Sequence, residues 1–399
     1  VSANKVTGKV LTGIDRLAQI DHPMIQGRSV GLITNPTGIT RGFQSSVEVC
    51  ASLPNARLCA LFACEHGIQG QRQAGIRFDN EIDEKLGIPI YSLYGVHKKP
   101  TLAMLEGIDT LIFDIQDLGI RFFTYVSTLI YVLEACAEHD ISLLVLDRPN
   151  PLGGLLCEGG ILQPGYESMV GAWGMPIRTG MTIGELAFMV NANMAQHCKL
   201  DVIRMEGWRR EMEFPQTGLP WLLPSPNIPS METVRVYAGM CFLEGTNVSE
   251  GRGTTKPFEW FGAPWIDGDK LSKALNGVGL PGVHFHSVYA TPMFAKHKGE
   301  LCGGVRLFVT DPIQFQAVTT GLFVLHLINQ LYSDFFEWLP PFREGGRPFI
   351  DLLAGGDLLR YEIASEKGLK CLVQRWEEDS EKWKELREPF LLYEGGYIQ

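Results

Sequence analysis

Thr110-Leu111-Ile112-Phe113-Asp114, Thr128-Leu129-Ile130-Tyr131-Val132-Leu133-Glu134-Ala135-Cys136-Ala137 and Ser142-Leu143-Leu144-Val145-Leu146-Asp147 read as strand, helix and strand. The outer runs are short and almost wholly apolar, as in strands buried on both faces. The middle run repeats its apolar residues at helical spacing. Working outward, Ser29–Thr34 and Leu58–Cys64 repeat the strand pattern. Met181–Val190 carries a further helix, and Thr182 followed by Glu185 makes a capping box at its start. Apolar strands alternating with helices predict an α/β fold, a Rossmann-like parallel sheet covered on both faces. Composition changes near Met205-Glu206-Gly207-Trp208. Trp221–Ser230 holds three prolines and suits neither a helix nor a central strand. Beyond it, Val283–Val288 and Gly304–Val309 read as strands, with a helix over the Thr319–Phe336 region. The expected division is a Rossmann-like domain over 1–200, a smaller α+β domain over 201–399, and a cleft between them.

The 399 residues exceed what one core usually supports, which favours two domains. A formal net charge of -10 argues against nucleic acid as a partner. No run is long and apolar enough to cross a bilayer as a helix. Nine cysteines fall singly, and Cys50, Cys64, Cys136 and Cys198 read as small core residues rather than a disulfide framework. The chain opens on Val1 rather than Met, which reads as the trace of a removed presequence. No G-x-G-x-x-G follows the first strand and no Walker A sequence appears, so neither NAD nor ATP is expected, and no cofactor. His284 and His286 share a strand face without a third ligand, so no metal is expected either. A serine hydrolase lacks its G-x-S-x-G elbow.

Polar residues gather where strands end, the usual ligand side of an α/β sheet. Glu65-His66-Gly67 closes one strand and opens a glycine-rich loop. Asp114, Gln116, Asp117, Arg121 and Tyr125 follow another. Asp147 and Asn150 follow a third, in a stiff Pro-Gly bend. A structural account is open for each: Asp117 caps a helix, Arg121 pairs with Asp114, Asp147 and Asn150 tie down their loop. Glu158 and Glu167 are secondary acids. In the second half, Glu244 to Thr255 packs acids, hydroxyls and Arg252 between glycines, which suits a loop with close backbone approach. Arg252 either grips a carboxylate or pairs with Glu250. Trp173, Trp260, Phe261 and Trp265 offer flat faces for a sugar, or core packing. Paired carboxylates are the usual equipment of glycosidic cleavage.

Taken together, Thr34-Asn35-Pro36-Thr37-Gly38, Glu65-His66-Gly67, Ser92-Leu93-Tyr94-Gly95, Asp114-Ile115-Gln116-Asp117 with Gly119 and Arg121, Asp147–Pro151 and Glu244–Gly253 resemble the NamZ-like family of exo-acting β-N-acetylmuramidases. The resemblance runs from about residue 20 to the end. It implies release of terminal N-acetylmuramic acid from the non-reducing ends of peptidoglycan fragments. It carries the acid-catalyst role to Glu65, with His66 beside it. Asp114, Asp117 and Glu244 compete as the opposing carboxylate. Asp114 is preferred because it ends its strand. Asn35, Arg72, Tyr94, Gln116, Arg121, Tyr125, Asp147, Asn150, Glu244, Asn247 and Arg252 fall in the implied substrate-binding set. Arg252 is preferred as the reader of the lactyl carboxylate, with Arg121 and Arg72 as rivals. Phe122-Phe123-Thr124-Tyr125 departs from a more tyrosine-rich family pattern. Family-typical export implies a periplasmic or extracellular location. Non-catalytic muropeptide binding, and hydrolysis of another cell-wall bond, are the competing functions.

Overall fold

The computed structural model describes residues 9–17, 19–20, 22–73 and 75–394. Val1, on which the presequence expectation rests, lies outside them. Seven strands form the large sheet: β1 (Arg28–Thr34), β2 (Ala56–Ala63), β3 (Glu81–Ile82), β4 (Pro89–Ser92), β5 (Thr110–Asp114), β6 (Ser142–Leu146) and β7 (Leu200–Ile203). Their order is β3-β4-β2-β1-β5-β6-β7. Every pairing is parallel except β3 with β4. Alternate residues along each strand serve opposite faces. Ile33, Phe62, Leu111, Phe113, Leu143 and Val145 pack into one core with the helices Tyr125–His139 and Ile183–Asn193. Val30, Leu32, Leu61, Ile112, Leu144 and Leu146 pack on the other face against Ile14, Leu17, Val49 and Cys50. Both faces are therefore covered, which is why these strands are apolar without alternation. The α/β fold class expected from the sequence is the one observed.

A second sheet follows, antiparallel and three-stranded: β8 (Trp260–Ala263), β9 (Val283–Ser287) and β10 (Gly303–Val309), ordered β8-β10-β9. The helices Met231–Met240 and Ala317–Leu331 pack closely because Gly239 meets Gly321. A Cβ on Gly239 would stand 1.9 Å from the Ala317 carbonyl oxygen, so no larger residue fits that crossing. The expected division at 200 falls on the first residue of β7, the strand that closes the large sheet. The long helix Glu366–Arg387 and the segment after it pack back onto the first unit around the start of the helix Ile183–Asn193. Trp383 donates its indole N–H to the Thr179 carbonyl at 2.9 Å, and the Leu392 N–H reaches Glu185 at 2.8 Å.

Strand order reverses between β1 and β5, where open α/β sheets ordinarily bind ligands. Here that crevice is filled. Asp114 is fully buried and held by Arg148, with Nε–Oδ1 at 2.6 Å and Nη2–Oδ2 at 2.8 Å. The Ser46 hydroxyl also donates to Asp114, and Arg148 reaches the Ile39 carbonyl at 3.0 Å. The space left there is about 20 Å³, enough for one water and not for a sugar. The preference for Asp114 as a carboxylate facing substrate is thereby corrected: both its oxygens are spent on the scaffold. Arg121, the pairing partner considered from sequence, lies elsewhere.

Arg148→Ala should leave Asp114 as a buried charge without its partner, at a cost of about 3–5 kcal/mol. Guanidinium unfolding of the purified variant measures this. A loss below about 1 kcal/mol would show that Asp114 is neutral or otherwise satisfied.

Candidate active site

The cleft lies beside the closed crevice, over the carboxyl ends of β2 and β4, with the second unit as its far wall. It encloses about 530 Å³. Glu65 and His66 enter it just beyond β2, Tyr94 just beyond β4, and Phe122, Phe123 and Thr124 just before the helix Tyr125–His139. Ser225, Asn227, Tyr237, Cys241, Glu244 and Arg252 come from the other side.

Glu65 is 8% exposed and is held by two hydrogen bonds. Oε1 accepts the Gly75 N–H at 3.0 Å and Oε2 accepts the Thr124 hydroxyl at 2.8 Å. Tyr94 lines the same cleft. Burial, and then the charge of Glu65, push the Tyr94 phenol well above its usual pKa, so it stays a proton-bearing donor. His66 adopts φ 74°, a left-handed conformation that is uncommon for a residue with a side chain. Its Nδ1 lies 2.8 Å from the Arg72 carbonyl oxygen. A carbonyl only accepts, so Nδ1 carries the hydrogen. Burial lowers the imidazole pKa, against the pull of Glu65, and favours the neutral ring.

Across the cleft, Glu244 sits on the short helix Cys241–Gly245. Arg252 Nη2 is 2.7 Å from Glu244 Oε1, and its Nε is 3.3 Å from Glu250 Oε1. Burial acts to lower the Arg252 pKa, but the two carboxylates outweigh it and hold the guanidinium above its usual range. Lys296 braces the far side of Glu250 at 2.9 Å. The flanking glycines are required: Gly253 has φ 83°, and a Cβ there would stand 2.4 Å from the Phe294 carbonyl oxygen. Among the described residues, Arg252 is the one arginine or lysine lining the cleft.

Of the sequence-derived set, Glu65, His66, Tyr94, Glu244 and Arg252 thus meet in one cleft. The rest do not line it. Asn35 accepts the Thr37 N–H at 2.9 Å, and Gln116 spans to the Pro149 carbonyl at 2.8 Å. Asp117 accepts the Gly119 N–H at 2.6 Å and caps no helix. Its Oδ1 is buried without a partner among the described residues. Arg121 is fully buried and donates to three carbonyls, those of Gly160, Met175 and Leu353, at 2.9, 2.8 and 2.7 Å. Burial lowers its pKa to about 9. Tyr125 donates to the Pro224 carbonyl at 2.6 Å. Asp147 accepts the Thr182 hydroxyl at 2.7 Å and the Gly184 N–H at 2.9 Å, at the start of Ile183–Asn193. Asn150 donates to the Met181 carbonyl at 2.9 Å, and Asn247 to that of Phe335 at 2.7 Å. Arg72 pairs with Glu81 and lies over Phe78. The secondary acids are scaffold as well: Glu158 pairs with Arg178, and Glu167 accepts the Gly165 N–H.

Thr124, Asn227 and Tyr237 are lining residues that the sequence reading missed. The signal for Asn227 was its place in the stiff Trp221–Ser230 segment, which Tyr125 anchors through Pro224. Asn227 is buried, and its Nδ2 lacks a partner among the described residues. Trp173, Trp260, Phe261 and Trp265 do not line the cleft; Trp260 is buried with its N–H on the Val288 carbonyl at 2.9 Å. His284 and His286 stand exposed on β9, and no cluster of three metal-ligating side chains occurs among the described residues.

Two family models match consecutive stretches of the chain. One, "Exo-beta-N-acetylmuramidase NamZ, N-terminal", matches residues 30–232; its C-terminal counterpart matches 235–393. The chain belongs to the NamZ family. It is 46% identical over 385 residues to the peptidoglycan beta-N-acetylmuramidase NamZ of Bacillus subtilis strain 168, covering 96% of this chain and 92% of that one. Two solved DUF1343 family proteins of Bacteroides fragilis NCTC 9343 share the fold. One, solved at 1.65 Å, superposes with a TM-score of 0.89 at 35% identity, covering 97% of this chain and 99% of its own. The other, solved at 1.30 Å, gives 0.75 at 31%, covering 98% and 100%. In this NamZ-family chain the two matched regions meet just after the proline-rich segment, and both contribute to the cleft: Glu65, His66, Tyr94, Thr124, Ser225 and Asn227 lie in the first, Tyr237, Cys241, Glu244 and Arg252 in the second.

Asp117 supplies a test of scaffold chemistry outside that cleft. Burial raises its pKa from 3.8 to about 7. The folded protein therefore keeps a proton that the unfolded chain releases near pH 4. Stability from this group is full below about pH 4 and is lost as pH rises to about 7. Asp147, also raised to about 7 by burial, acts in the same direction. Asp117→Asn should remove part of this fall. Urea unfolding of both proteins at pH 4.5 and 7.5 reads it, and an identical pH dependence would refute it.

Proposed function

We propose that this protein is an exo-acting glycosidase that releases terminal β-1,4-linked N-acetylmuramic acid from the non-reducing ends of peptidoglycan fragments. The observation that carries the reading is Glu65, nearly buried, fixed by Gly75 and Thr124 beside Tyr94, and facing a cleft lined from both family regions. The full-length likeness to a peptidoglycan beta-N-acetylmuramidase gives that cleft its substrate class. Glu65 protonates the leaving glycosidic oxygen. Tyr94, which keeps its proton, orients Glu65 and stays within reach of the same oxygen. Glu244 takes the opposing role in place of Asp114, offering negative charge to a developing oxocarbenium ion. Neutral His66 shapes the wall behind Glu65.

Arg252 reads the lactyl carboxylate that distinguishes muramic acid from glucosamine. Its rivals are engaged elsewhere, Arg121 with three carbonyls and Arg72 with Glu81. Glu244 and Glu250 keep Arg252 charged and aligned, which prepares the cation before an anionic sugar arrives. Because peptidoglycan lies outside the cytoplasmic membrane, the reading includes a periplasmic or extracellular place of action, which fractionation of the native cells would check.

Glu65→Gln should lower kcat on a muramic acid disaccharide by roughly 10²–10⁴-fold. The loss on a 4-nitrophenyl glycoside should be smaller, since that leaving group needs less protonation. Equal losses on both would remove Glu65 from the acid role. For Arg252→Ala, the ratio of kcat/KM on matched muramic and glucosamine glycosides should fall by roughly 30-fold or more, equivalent to about 2 kcal/mol, because a desolvated charge pair is lost. Arg252→Lys should restore part of it. An unchanged ratio would put recognition of the carboxylate on another residue.

A further inference from the structure

The cleft is buried at one end and open at the other. Glu65, Phe122, Asn227 and Tyr237 are buried, whereas Phe294 is 43% and Phe342 81% exposed. Both phenylalanines line the same cleft as Glu65. Large apolar groups left at the mouth of a groove commonly mark contact with a ligand.

Neither ring is there by slack in the chain. Phe294 precedes Ala295 at φ 65° and His297 at φ 54°, a left-handed conformation that costs free energy and persists only when the surroundings enforce it. The surroundings do enforce it. Between those two residues, Lys296 Nζ is bonded to the carbonyls of Leu243 at 2.8 Å and Val248 at 3.0 Å, as well as to Glu250. The Met293 N–H is held by the Gly253 carbonyl at 2.8 Å. Phe342 is seated edge-on against Phe349, another lining residue, with ring centroids 5.1 Å apart at 60°.

An exo-acting glycosidase receives the chain end at the closed end of its cleft. The rest of the chain must leave by the mouth, so the ring beyond the scissile bond passes whatever stands there. We propose that Phe294 and Phe342 form the subsite for the leaving-side sugar, an N-acetylhexosamine whose C–H faces pack on the two rings. This rests on the exo-muramidase reading above and assigns its leaving-group site. The protein then recognises two sugars: the terminal one by charge and hydrogen bonds in the buried end, the next by apolar contact at the rim.

The test compares two substrates of the wild-type protein, Phe294→Ala, Phe342→Ala and the double variant. One is the N-acetylmuramyl-β-1,4-N-acetylglucosamine disaccharide. The other is β-N-acetylmuramyl fluoride, whose leaving group is one atom and cannot reach the rim. The ratio of kcat/KM, disaccharide over fluoride, should fall about tenfold in the double variant, mainly through KM, and Phe342→Trp should hold it near the wild-type value. Thermal melts check that all variants are folded. An unchanged ratio, or equal losses on both substrates, overturns the subsite. A wild-type protein inert on both substrates would overturn the muramidase reading itself and the subsite with it, a result distinct from an unaltered ratio.

Discussion

A fully buried carboxylate is tolerable only when its charge is met, and in this protein Arg148 meets that of Asp114. The pair draws together the chain beyond β1, β5 and β6. Through Ser46 and the Ile39 carbonyl it also fixes the segment that follows β1. Its location matters as much as its strength. It occupies the point where strand order reverses, the place at which an open α/β sheet ordinarily admits a ligand. With that crevice filled, the sheet's contribution to the candidate cleft comes from residues just beyond β2 and β4, one strand and two strands away. This chain thus keeps a Rossmann-like sheet while its candidate cleft lies over a different part of the rim, so fold class alone does not point to it.

The large sheet was legible because its central strands are buried on both faces and so lack polar interruptions. β3, β4, β7 and β8 were missed: they have two to four residues each, too few for periodicity to register. The site was legible in part. A polar side chain after a strand faces either a ligand or its own scaffold, and sequence position does not separate the two. Asp117 turns back on Gly119, two residues away. Asp147 is taken by Thr182 and Gly184, more than thirty residues on, and by Tyr393 near the end of the chain. Such distant partners leave no local trace. Glu65 and Arg252 differ in having glycines close by: Gly67 takes a left-handed φ of 79°, and at Gly251 and Gly253 backbone approaches too near for a side chain. Thr124 and Tyr237 carry no such mark, because helix starts and helix faces hold hydroxyls and aromatics for many structural reasons.

The two walls of the cleft are tied to each other away from the chemistry. Arg121 spends its charge on backbone carbonyls, one of them that of Leu353 on the second wall. It has no carboxylate among its bonded partners, and burial alone lowers its pKa. The C-terminal segment returns across the join to Thr179, Glu185 and Asp147. A guanidinium used this way acts as a multi-donor cross-link, and its planar fork suits three carbonyls arriving from different directions. Preorganised walls reduce the ordering that substrate binding has to impose.

The start of the helix Tyr125–His139 has a wider consequence. Thr124 binds Glu65 on one wall, and the adjacent Tyr125 binds Pro224, which leads to Asn227 on the other. One helical turn therefore works as a gauge block between the acid and the opposite wall. A one-residue slip would rotate its side chains by about 100° and release both contacts together. Relatives that come to accept bulkier or differently linked fragments are accordingly expected to vary the loops around Phe294 and Phe342 and to leave this turn alone. In such a lineage the gauge block is inherited and the rim loops carry the adaptation.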